Sequence, residues 1–134
     1  MEMLVKRAEE IPGDFAVQGV ANSLWALARM GREPDERLMR ILEKRVEALI
    51  LEYGTQDCSN TLWAYATMGR SPGERIMGML EERVEQLAGE YKAQDVANTM
   101  WAFAKMGRNP GRRVMGMLHQ SAEEISSDFT FRLF

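Results

Sequence analysis

Three sets of side chains recur at one spacing and could together hold a nucleic-acid strand. They are Gln18, Asn22, Trp25 and Arg29; Gln56, Asn60, Trp63 and Thr67; and Gln94, Asn98, Trp101 and Lys105. Each set stands at i, i+4, i+7 and i+11, which on a helix turning by about 100° per residue is one narrow stripe. A side-chain amide carries both donors and acceptors, as base edges do, and a cation at the end of the stripe suits a phosphate. Arg32, Arg70 and Arg108 follow the stripes at constant spacing and extend the set of cations. The chemistry expected of this pattern is hydrogen bonding to single-stranded RNA with support for its phosphates. A Trp on a mostly apolar helix is expected in the core rather than as a stacking platform. The Asn fits either a base edge or the backbone of the neighbouring copy. Positions that change between copies are the expected sites of discrimination: Arg29/Thr67/Lys105, Gly19/Asp57/Asp95 and, in a turn, Glu33/Ser71/Asn109.

The elements that carry these side chains come from a repeat. Tryptophans at Trp25, Trp63 and Trp101, and aromatics at Phe15, Tyr53, Tyr91 and Phe129, are each 38 residues from the next. Residues 15–52, 53–90 and 91–128 are thus three copies; the first and second agree at 20 of 38 positions and the second and third at 19, which makes this duplication rather than composition. Residues 1–14 match the second half of a copy, and 129–134 begin a fourth or form a tail. Each copy reads as two helices. The first, helix A, has apolar or small residues around most of its circumference, as at Val96, Ala97, Met100, Trp101, Phe103 and Ala104, and so is expected between two neighbours. Gly31, Gly69 and Gly107 end it in a left-handed cap. Pro34, Pro72 and Pro110 mark the approach to helix B, where Ser71 and Glu74 have capping-box spacing. Gly78 and Gly116, inside helix B, are expected to let another helix approach closely. A two-helix unit of this size cannot bury its own apolar face, so the copies must stack. The predicted fold is all-α: a single right-handed α-solenoid over residues 1–134.

Composition narrows the functions. With 46% hydrophobic and 28% charged residues the chain can bury a core, and it lacks the roughly 18–20 consecutive apolar residues of a membrane span. One cysteine and one histidine supply neither a disulfide nor a four-ligand zinc site. Cys58 takes the place of Val20 and Val96 and reads as a small buried hydrophobe, and His119 replaces Glu43 and Glu81 on an exposed face. The 11 methionines recur at fixed positions and read as adaptable packing. No phosphate-cradling loop, triad or paired-carboxylate pocket is present, so no enzyme and no cofactor are expected. The net charge of −3 counts against a nonspecific polyanion binder, but it is unevenly divided. Helix A with its turn carries +1, 0 and +2 in the three copies, and the helix B stretches carry −1, −3 and −1. A positive A side and an acidic, solvated B side are expected.

The segments VQGVANSLWALARMGREP, TQDCSNTLWAYATMGRSP and AQDVANTMWAFAKMGRNP resemble the octotricopeptide repeat, the 38-residue helical repeat of algal organelle RNA factors. The resemblance covers almost the whole chain. It implies a nucleus-encoded protein of the chloroplast or mitochondrion that binds RNA and assists its stability, processing or translation, or a structural subunit of an RNA-containing assembly. The family's Asn and Trp fall on Asn22, Asn60 and Asn98 and on Trp25, Trp63 and Trp101. The chain departs from the family in having one proline per copy and no Trp in helix B. No transit-peptide pattern is visible at the start. One base per copy would specify only about three nucleotides, so a longer array or assembly is expected. The alternative is a protein-interaction scaffold that meets its partners at uncapped ends, where Phe129, Phe131, Leu133 and Phe134 leave an apolar tail.

Overall fold

In a computed structural model of the chain, the residues described are 13–31, 35–109, 111–112, 114–120 and 123. The opening half-copy up to residue 12, the segment 129–134, and Arg32, Glu33, Pro34 and Pro110 lie outside them. The protein is all-helical, with no strand among the described residues. The elements are α1 (Gly13–Met30), α2 (Glu36–Leu49), α3 (Thr55–Met68), α4 (Glu74–Leu87), α5 (Ala93–Lys105) and α6 (114–120). Short 3-10 turns, Ile50–Glu52 and Ala88–Glu90, join one copy to the next. No helix among the described residues is long and apolar enough to cross a membrane.

The A helices α1, α3 and α5 pack side by side in that order, and α2 and α4 pack on the helices that precede them and on each other. Among the described residues, only the central A helix has an A helix on both sides. Accordingly Cys58, Ser59, Thr61, Leu62, Ala64, Tyr65 and Ala66 are all buried in α3, but the burial stops short of the full circumference expected of helix A, since Gln56 and Thr67 are exposed and Asn60 and Trp63 half-buried. The B helices are one-sided. In α2 Leu38, Leu42 and Val46 recur every four residues on the buried face, and in α4 Ile76, Leu80 and Val84 do the same. These residues and Leu24, Tyr53, Phe103 and Leu118 form one continuous core. The tyrosine that opens the second copy ties that copy together. Tyr53 is buried and its hydroxyl accepts from Thr61 Oγ1 at 3.4 Å, while its carbonyl accepts from Arg83 Nε at 2.9 Å, so α3 and α4 are both tied to the start of their own copy.

The predicted glycine caps are present. Gly69 has φ 67°, its N–H donates to the Ala66 carbonyl at 3.2 Å, and the Arg70 N–H reaches back to Tyr65 at 3.0 Å, the paired bonds of a Schellman turn. Gly31 and Gly107 share this backbone conformation. Two local expectations need correction. Helix α4 starts at Glu74 with Gly73 as its N-cap, so Ser71 does not cap it, and its hydroxyl meets only the Gly73 N–H at 3.4 Å. The reason is Gly73 itself, at φ 91°, which turns the chain once more after Pro72 before the helix begins. In the first copy Asp35 stands in that place and caps α2 conventionally, accepting from the Arg37 N–H at 2.8 Å. The second correction concerns Gly78 and Gly116: both are exposed, and a Cβ built on either meets nothing within 4 Å, so neither admits a close helix.

Candidate nucleic-acid interface

The A helices bring the three stripes to one face. Gln18, Asn22, Trp25 and Arg29 are exposed on α1, as are Gln56 and Thr67 on α3 and Gln94, Trp101 and Lys105 on α5, with Asn60, Trp63 and Asn98 half-buried in line with them. Among the described residues no hydrogen bond occupies the side-chain amides of these Gln and Asn residues. The Asn side chains therefore do not bond the neighbouring backbone, and their donors and acceptors are open to a ligand.

Trp25 and Trp101 are not core residues, while Trp63 between them is half-buried and packs against the core. Trp25 is 39% and Trp101 44% exposed. They flank Trp63 in a ladder across the helices, with ring centroids 6.0 Å and 6.3 Å apart and planes tilted by 32° and 31°. The Arg29 guanidinium lies 5.1 Å from the centre of the Trp25 ring and extends the ladder by a cation. The expectation failed because the core needs only one side of helix A: Leu24, Leu62 and Phe103 fill it, and the Trp one residue after the first two of these positions points out. A column of identical residues 38 apart was the available signal, since a surface stack needs the same ring in every copy.

Between α1 and α3 the stripe deepens into a cleft of about 490 Å³, lined by Gln18, Asn22, Gln56 and Asn60 with Glu52, Gly54, Thr55 and Asp57. Asp57 Oδ2 accepts from the Gly54 N–H at 2.9 Å and so caps its own helix. Asp95, the equivalent residue on α5, accepts from Ser59 Oγ at 3.3 Å across the junction. In two copies the variable position Gly19/Asp57/Asp95 thus has a structural partner. So does Asn109, whose Oδ1 accepts from the Gly111 N–H at 2.9 Å.

The turn arginines leave the stripe. Because the preceding glycine reverses the chain, Arg70 emerges towards the B helices and forms a two-pronged pair with Glu36 of the previous copy, Nη2 to Oε2 at 2.8 Å. Arg108 repeats this with Glu74 (2.8 and 3.1 Å) and adds a bond from Nε to Glu81 at 2.7 Å. Hydrogen bonds from Arg70 and Arg108 hold the Glu36 and Glu74 carboxyls below the usual glutamate range, while burial raises Glu43 beside them. Arg32 lies outside the described residues. The positive A side expected from the charge count is accordingly reduced, since two of its cations are spent on carboxylates; Arg29 and Lys105 remain on the stripe. Cys58 is buried, with its thiol pushed up to about 12 first by desolvation and then by Asp57, which suits a packing residue. No protein-family model matches the chain, and no curated protein matches it.

Proposed function

We propose that the chain is a segment of a right-handed α-solenoid of 38-residue units that binds single-stranded RNA along its A-helix face and catalyses no reaction. The observation that carries this reading is the Trp ladder, exposed at Trp25 and Trp101, running beside unoccupied amides on the three A helices. Aromatic faces stack on unpaired bases and amides read their edges, whereas a duplex hides both. Arg29 and Lys105 supply phosphate contacts, and Arg70 and Arg108 hold the copies together. By its resemblance to the octotricopeptide repeat such a segment works in a chloroplast or mitochondrion, within a longer array or an assembly that stabilises, processes or translates RNA.

A second reading, a protein-interaction scaffold, is favoured by the B side. There Ile50, Leu51 and Met79 floor a cleft of about 280 Å³ between α2 and α4, rimmed by Glu47 and Glu82, and Leu51 is 74% exposed. Fluorescence anisotropy with pooled short single-stranded RNAs and a matched duplex, at low and physiological salt, separates the two. Salt-sensitive preference for single strands, with quenching of tryptophan emission, supports the RNA reading. Absence of binding at low salt refutes it and leaves the scaffold.

A further inference from the structure

The cleft between α1 and α3 has an unusual balance of groups for a phosphate-binding face. Its lining includes two carboxylates, Glu52 and Asp57, and no Lys or Arg among the described residues. A phosphate entering it would be repelled, so the part of a nucleotide that fits is the base, with the backbone left outside the cleft. The volume, about 490 Å³, lies within the roughly 300–1,000 Å³ usual for small-ligand sites. Asp57 already spends one oxygen on the Gly54 N–H, whereas Glu52, on the 3-10 turn before α3, has no partner among the described residues. A free carboxylate accepts two parallel N–H groups at once. Among the four RNA bases only guanine offers two adjacent donors, N1–H and the N2 amine, on its Watson–Crick edge, with an acceptor at O6 beside them for an amide N–H.

We propose that this cleft is a pocket for one unpaired guanine, with Glu52 accepting from N1 and N2 and the amides of Asn22 and Asn60 donating to O6. The inference rests on the RNA-binding reading above. It assigns the two junctions different tastes: at the α3/α5 junction Lys92 replaces Gly54, adding a cation where the first has none.

The test uses the full chain and short oligouridine, compared with the same strand carrying one central guanosine or one inosine, which lacks the N2 amine. The expected result is binding about 5- to 10-fold tighter for guanosine than for inosine or uridine. Glu52→Gln should abolish that preference while leaving oligouridine affinity equal or higher, and Glu90→Gln, the same change at the other junction, should preserve it. Circular dichroism checks that both variants fold; Glu52 is exposed, so they should. If all strands bind alike, the guanine pocket is wrong and the RNA reading stands. A preference that survives Glu52→Gln also overturns the assignment. If no strand binds, the RNA reading falls and takes the pocket with it.

Discussion

Replacing Gly78 by alanine should make the protein more stable. Gly78 lies in the interior of α4, is exposed, and an added Cβ would meet no atom within 4 Å. The substitution therefore meets no steric cost, and the gain is the full helix-propensity difference, about 1 kcal/mol, part of which comes from restricting the unfolded chain. For a chain of this length that corresponds to a Tm higher by about 3 °C. Gly69→Ala is the matched control. It also has open space around it, but its φ of 67° is a conformation that costs an L-residue about 1–2 kcal/mol, so its Tm should fall. Thermal and urea unfolding followed by circular dichroism would give both signs from one experiment. A Gly78→Ala variant with unchanged or lowered Tm would refute the reasoning, because it would mean that the outer face of α4 is covered in solution.

Charge reversal should separate the two classes of cation. Arg29→Glu and Lys105→Glu are expected to weaken RNA binding and lower the salt slope by about 1 each while the fold persists; Arg108→Glu should first lower the Tm, because it sets three carboxylates against one another at Glu74 and Glu81. The pH dependence follows from the same pairs. Glu36 and Glu74 have folded pKa values below their unfolded ones, so their contribution is present above about pH 4.3 and is lost as pH falls through the folded value. Glu43 is raised and acts oppositely, costing stability as pH rises through the ordinary range. Urea midpoints across acid pH should fall less steeply in a Glu36→Gln/Glu74→Gln variant than in the parent protein. Cys58 should resist a thiol reagent at mildly alkaline pH until urea exposes it, since the native thiol is buried and titrates at about 12; rapid native labelling would contradict its packing role.

The helices and their glycine-capped C-terminal ends were legible in the sequence because both arise locally. The glycine caps need only a left-handed residue, and the B-helix core stripe needs only a four-residue recurrence. The side of helix A that faces out was not legible from one copy. Val, Leu, Trp, Ala and Phe all look like core residues until it is known that Leu62 and its equivalents already fill the interior. The fate of Arg70 and Arg108 was equally hidden, because a residue directly after a cap points wherever the reversed chain takes it, and its partner is 34 residues back, on a different helix and in the preceding copy. Likewise the capping-box spacing at Ser71 was satisfied by composition and defeated by the extra turn at Gly73.

The arginine pairs between copies have a direction. The second copy offers a guanidinium backwards and a carboxylate forwards, so a unit like it inserted between two existing copies would find both of its needs already met, and an array could lengthen by duplication without any new contact being invented. The third copy breaks this grammar. Where the first two have Glu36 and Glu74 it has Arg112, and where they have Glu43 and Glu81 it has His119, all four acids having been acceptors or neighbours of the incoming arginine. A further unit of the same type, set against the third copy, would bring its arginine to a cation and an imidazole. Whatever packs on that face of the third copy, a further unit included, meets side chains there different from those that Arg70 and Arg108 meet.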